Sequence, residues 1–216
     1  MDVFEAMRNA PTSRRFTEEP VEPGVLRRVL DSARFAPSGG NRQGWRVVVV
    51  RDAERRRAIR DLYVPAWNAY MEHTGGAQML RSPDDFDRVR VRMVQRADEY
   101  AQKLDEVPVH LLVAVRLADL VVTDAELGRQ SIVGGASIYP FVQNVLLGLR
   151  AEGLGAAMTT LLVPAEEEIK TLVGMPHDVA LAAHIGVGHR ANGWPKALAR
   201  KPVEEFAFAE RFGEPL

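Results

Sequence analysis

The 216-residue chain has no cysteine, which excludes disulfides, zinc–thiolate centres, iron–sulfur clusters and thiol nucleophiles. No apolar run is long enough to span a bilayer, so no membrane association is expected. Charge of one sign is not in excess: 28 basic residues face 29 acidic ones, and the net charge of -1 gives no global pull toward nucleic acid. The opening Met1-Asp2-Val3-Phe4-Glu5 lacks a basic region followed by an apolar run. No signal peptide is therefore expected, and a cytoplasmic location is the default. His73, His110, His177, His184 and His189 fall at no metal-ligand spacing, no Ser-His-Asp arrangement stands out, and no segment repeats.

What is present reads as one globular domain. Hydrophobic residues make up 46% and charged residues 26%, enough apolar surface to fill a core. A short helix is expected over residues 2–8, then an extended segment to Pro20. Pro23 opens a helix whose Val25, Leu26, Val29, Leu30 and Ala33 recur at helical spacing, and Pro37 ends it. Trp45 to Val50 reads as a strand and Ala53 to Leu62 as a charged helix. Residues 64–104 read as helix broken at Gly75-Gly76 and Ser82-Pro83. Phe86, Val89, Met93, Ala97, Tyr100 and Leu104 mark one face of its last part. Val109 to Val115, Met158 to Val163 and Val179 to Val187 read as strands. Ile138, Phe141, Val142, Val145, Leu146 and Leu149 give the cleanest helical stripe, closed by Gly153-Leu154-Gly155. Pro164 with Glu166, Glu167 and Glu168 opens another helix. Interleaved helices and strands point to a sheet covered on both faces.

Several segments carry possible chemistry, and each has a plainer reading. In Pro37-Ser38-Gly39-Gly40-Asn41 two glycines allow close backbone approach to a ligand, while the side chains of Ser38 and Asn41 offer hydrogen bonds. The same residue types serve an ordinary helix-to-strand turn. Thr12-Ser13-Arg14-Arg15 pairs hydroxyls with guanidinium groups, as an anion grip would, or forms a solvated basic loop. Gly153-Leu154-Gly155 is no dinucleotide loop, because its glycines close a helix and precede a strand. Gly186-Val187-Gly188 fails the same test. Ala199-Arg200-Lys201-Pro202 could bring a second positive charge to a phosphate or be a surface cluster. Arg55-Arg56-Arg57 lies beside Asp52, Glu54 and Asp61 and reads as a solvated face.

In order and spacing these segments resemble the nitroreductase superfamily. The similarity runs through Arg14-Arg15-Phe16-Thr17-Glu18-Glu19-Pro20-Val21 and through Leu30 to Gln43 with the strand at Trp45. It continues through Gln143-Asn144 to Gly155 and the tail around Arg200. The resemblance implies an α+β fold (a three-layer α/β arrangement) with a mixed central sheet, and an intertwined homodimer holding FMN between its subunits. The domain would be residues 1–216, with 64–104 a variable helical lid and 195–216 an arm packing on the partner. Carried over by position, Thr12, Ser13 and Arg14 would hold FMN from one subunit, and Pro37, Ser38, Gly39 and Asn41 from the other. Met158, Thr159 and Thr160 would line the ring, and Arg200 would reach the phosphate. Two positions depart from the family: its usual arginine before Thr12 is replaced by Ala10-Pro11, and its usual proline after Gln43 is Gly44.

The activity so implied is hydride transfer from NADH or NADPH through FMN to a nitro-aromatic, quinone or related conjugated acceptor. Arg14 would stabilise charge on the flavin, with no protein nucleophile required. A specialised dehalogenase or dehydrogenase on the same fold is the alternative, with Trp67, Tyr70 and Tyr100 stacking on an aromatic substrate; their plainer role is helix core. A flavin store or sensor without turnover is the third reading.

Overall fold

Apolar runs build the middle of the sheet. The computed structural model describes all 216 residues and contains strands β1 (Trp45–Val50), β2 (Val109–Arg116), β3 (Leu154–Thr159) and β4 (Val179–His189). They run in the order β1-β2-β4-β3, antiparallel at every pairing. Parallel character enters only through an isolated bridge between Thr12 and Ala156. β2 is buried from Val109 through Val115, which suits a central strand covered on both faces.

Each face has its own core. On one side α2 (Pro23–Ala33) and α6 (Tyr139–Ala151) pack Leu26, Val29, Phe141, Val145 and Leu149 against Leu111, Val113 and Ile185. On the other, α3 (Ala53–His73), α5 (Arg88–Gln102) and α7 (Glu166–Val173) pack Ile59, Tyr63, Tyr100 and Ile169 against Leu112, Ala157 and Leu181. The helices are thus on both faces, as expected. A bulge in the β2–β4 ladder, between Val113 and Ala114, puts Leu181 and Ala183 into different cores although they are two residues apart. The short helices α1 (Val3–Asn9) and α4 (Gly76–Arg81) complete the set. Asp2 caps α1 by accepting from the Glu5 amide at 2.8 Å. No helix is long and apolar enough to cross a membrane.

Three local expectations need correction. α3 does not end near Leu62 but continues through Pro65 to His73. Ile59, Tyr63, Trp67 and Met71, spaced by four and all buried, straddle the proline, and their packing outweighs the lost backbone bond. α5 presents a different face: Val89 and Met93 are exposed, while Val91 and Ala101 are buried. β3 begins at Leu154 rather than Met158, so Thr160 to Val163 lie beyond the strand. Its Gly155-Ala156-Ala157 lacks the bulky residues that mark strands in sequence.

The small residues have a packing reason. The segment from Ala10 to Phe16 lies across the sheet as an arm. A side chain at Gly155 would meet Ser13 Oγ at 2.7 Å and Ser13 Cβ at 2.8 Å; one at Gly188 would meet Phe16 at 2.9 Å. Both glycines therefore let the arm sit against the strands. Replacing Gly155 with Val is expected to lift the arm at a cost of about 1–3 kcal/mol in urea unfolding. An unchanged midpoint would show that the arm is not seated by this contact.

Candidate flavin site

The arm is fixed by backbone bonds at both ends. The Ser13 amide donates to the Ala156 carbonyl at 2.8 Å, the Thr17 amide to the His189 carbonyl at 2.8 Å, and the Ala191 amide to the Arg15 carbonyl at 3.1 Å. Ser13 is turned inward and buried, and its hydroxyl accepts from Arg190 at 2.7 Å. Thr12 and Met158 meet at a cavity of about 80 Å³ that also touches Ala10, Pro11, Arg150 and Trp194.

Arg14 is the hub. It lines a cavity of about 250 Å³ with Thr12, Ser13, Arg15, Arg96 and Arg190, in whose wall there is no acidic residue. It also lines one of about 320 Å³ with Trp67, Tyr70, Met79, Arg90 and Met93. A third, of about 240 Å³, includes Tyr100 and Lys103 together with Glu99, whose carboxylate is held by Arg15 at 2.9 Å. Arg14 itself makes no ion pair. Burial raises the pKa of both the Tyr63 and Tyr100 phenols, and the charge of Arg14 partly offsets each rise. Tyr63 reaches Thr159, its hydroxyl 3.5 Å from Oγ1, and Thr159 Oγ1 also accepts from the Leu161 amide at 3.2 Å. Thr160 is exposed.

The aromatic residues divide. Trp67 is buried and donates through Nε1 to Asp98 at 2.7 Å, so its indole is fixed by the core while lining the largest cavity at Arg14. Tyr70 is exposed beside it, with ring centroids 5.9 Å apart. Tyr100 is buried and its hydroxyl has no partner.

The Pro37–Asn41 turn lies elsewhere. Gly39–Asn41 forms one 3₁₀ turn, with Gly40, Asn41 and Gln43 in the left-handed region. Ser38 Oγ accepts from the Gln43 amide and Ser137 Oγ from the Gly39 amide, both at 3.0 Å. The turn feeds Trp45 at one corner of the sheet, level with Val115 of β2; Thr12 sits at the opposite corner, where Ala156 pairs with Val187 and Val187 with Val109. Three strand spacings across and the length from Val109 to Val115 along separate these corners by on the order of 25 Å. None of the cavities at Arg14 includes the turn.

Gly44 shows why the family proline is missing. A Cβ there would lie 2.7 Å from Asp119 Cβ, and Asp119 is held in place by a two-pronged bond from Arg116 at 2.7 and 2.9 Å. That guanidinium holds the Asp119 carboxyl below its ordinary pKa. Arg200 is exposed and donates only to its own Ala199 carbonyl. The tail near it is tied to α1 by the Leu198 amide, 2.8 Å from the Arg8 carbonyl.

Tyr63, Arg96, Arg150, Arg190 and Trp194 were not singled out from sequence. Only Arg150 carried a readable signal: it sits four residues after Leu146, on the otherwise apolar stripe of α6.

The sequence profile of the Nitroreductase family matches residues 7–189. The chain is 30% identical to an NADH dehydrogenase of Thermus thermophilus over 197 residues, covering 88% of this chain and 87% of that protein. It is 27% identical to a 5,6-dimethylbenzimidazole synthase of Rhodospirillum rubrum, covering 93% and 82%. Among solved structures, iodotyrosine deiodinase bound to FMN and 3-iodo-L-tyrosine superposes with a TM-score of 0.71 at 22% identity, over 96% of this chain and all of that one.

Proposed function

The chain belongs to the nitroreductase family, and on that premise we propose that it holds FMN between two copies of itself and passes hydride from NADH or NADPH to small conjugated acceptors. The arm carries this reading. Thr12, Arg14 and Met158 converge on open cavities, and Arg14 has no acidic partner, as a site awaiting an anionic or electron-rich ligand requires. The donor set fits FMN: hydroxyls and guanidinium groups for a phosphate, an exposed methionine on the strand for a ring, and a threonine hydroxyl at Thr159.

Distance supports the pairing of two copies. The Pro37–Asn41 turn of one chain is on the order of 25 Å from its own Thr12, too far for both to close on one ring. A second copy in two-fold arrangement brings its turn to the first copy's arm. The exposed Val3, Phe4 and Met7 on α1, with Phe206 and Phe212 in the tail, supply apolar surface for such a contact. Residues 195–216 then act as an arm on the partner and 64–104 as the lid over the substrate.

FMN, when bound, supplies the hydride chemistry. The residues position it. Arg14 would place positive charge near the flavin and stabilise negative charge developing on it. Thr159, 3.5 Å from the Tyr63 hydroxyl, would offer a hydroxyl to it. Trp67, Tyr70 and Met93 form an apolar wall with Arg14 and Arg90 at its border, which suits an aromatic substrate carrying negative charge. That cavity favours one second reading, a specialised dehalogenase or dehydrogenase of such a substrate.

Purified protein is expected to be yellow, to release FMN on denaturation and to run as a dimer. Anaerobic NADH or NADPH should bleach it within seconds. A colourless monomer that refuses added FMN sinks the proposal; a flavin left oxidised by both donors removes the reductase activity.

A further inference from the structure

The family's arginine before Thr12 is replaced by Ala10-Pro11, yet a guanidinium occupies that neighbourhood. Arg150, from the last turn of α6, is buried beside Ala10, Pro11 and Thr12. Its Nε donates to the Asn9 side chain at 2.9 Å and to the Asn9 carbonyl at 3.3 Å. Its plane lies 3.8 Å over the ring of Trp194. The two terminal nitrogens have no protein acceptor, and no carboxylate stands within ion-pair distance.

Arg190 approaches the same indole, 4.7 Å from its centroid. Each of its three nitrogens is engaged: Nη1 with Ser13, Nη2 with the Gly193 carbonyl and Nε with the Asn192 carbonyl. It fixes the segment that carries Trp194. Burial lowers the pKa of both guanidinium groups, and Arg150 lowers that of Arg190 further. A buried and a half-buried cation therefore crowd one ring, with Glu5 attracting Arg150 but forming no ion pair with it, an arrangement that a bound anion would relieve.

We infer that Arg150, clamped between Asn9 and Trp194, is the phosphate anchor of this chain, filling the place left by Ala10-Pro11. The inference rests on the FMN reading above. The cavity of about 80 Å³ in front of Arg150 has room for a tetrahedral oxyanion. Thr12 adds a hydroxyl donor at its edge. The positive charge is carried by α6 instead of the arm, and Arg150 lines the same cavity as Ala10 and Pro11.

The test compares two flavins that differ by the phosphate alone. Apo-protein is titrated with FMN and with riboflavin, following quenching of flavin fluorescence. Wild-type protein should bind FMN more tightly. Arg150→Met keeps the stem and removes the charge; it should weaken FMN about 10- to 100-fold and leave riboflavin unchanged. Arg150→Lys, which cannot fork, should lose FMN affinity to an intermediate degree and serves if the Met variant does not fold. Equal losses for both flavins, or no loss for either, would overturn the assignment. Wild-type protein that takes up neither flavin overturns the FMN reading itself, and the anchor with it.

Discussion

Two inactive variants, Arg14→Ala and Gly39→Val, should restore each other when mixed. Arg14→Ala alone is expected to slow flavin reduction by about 100-fold, the scale of losing one preorganised charge at a developing anion. Gly39→Val should block the close backbone approach on the partner side. The fold tolerates it, because a Cβ there meets only Ser137 Oγ at an ordinary 3.5 Å. If each flavin lies between the arm of one chain and the turn of its twin, a hybrid dimer has one doubly altered site and one intact site. Random pairing makes half the dimers hybrids, so the mixture should recover about a quarter of the wild-type rate. The chains are co-expressed with different tags, and NADH-driven bleaching is followed anaerobically. A mixture no faster than its separate components would show that arm and turn do not share a site.

The same geometry explains what was legible in the sequence. β1, β2 and β4 announce themselves as short apolar runs, and α2 and α6 as apolar stripes at helical spacing. The sequence pattern starts β3 four residues late because its small residues answer to the arm against it, a non-local demand. The end of α3 at Leu62 and the face of α5 are misplaced for similar reasons. Tyr63 and Trp67 hold α3 through the proline, and Met93 faces an open cavity instead of the core. The grouping of Thr12, Arg14 and Met158 was available only through resemblance, since the arm touches β3 about 140 residues away in sequence. Arg150 does leave a local trace, an arginine on an apolar stripe, but a basic residue in the last turn of a helix also has a plainer role there.

The last expected result concerns a pair of groups buried under this site. His110 and His184 lie wholly inside the α3–α5 core, with Nδ1 of the first 2.8 Å from Nε2 of the second and rings stacked 4.9 Å apart. One nitrogen must donate and the other accept, whichever tautomers are present. The outer nitrogens, His110 Nε2 and His184 Nδ1, have no partner. A further proton would add a charge in the buried core, at a desolvation cost. Arg56 opposes protonation of His110, while Asp105 and the backbone at Leu104 and Val107 favour it more weakly. Tyr63 lies against His184, with ring centroids 6.4 Å apart. Burial dominates, lowering His110 to about 4 and His184 well below its ordinary value. Unfolded, both imidazoles titrate near 6.5. Above that pH neither state is protonated at these positions and the pair adds no pH dependence. Between about 6.5 and 4 the unfolded chain holds the extra protons, so stability is lost as pH falls through that window. The slope should be roughly 1 kcal/mol per pH unit for each imidazole. The carboxylates of Asp119, Asp124 and Glu99 are also pulled down, and their losses come at lower pH. Urea unfolding at pH 7.5, 6.5, 5.5 and 5.0 therefore isolates the histidines, and a His110→Phe/His184→Leu variant should flatten the curve. A wild-type profile already flat down to pH 5 would mean that the folded chain takes up these protons as readily as the unfolded one and that burial keeps neither ring neutral; half the slope would mean that the pair takes up a single proton.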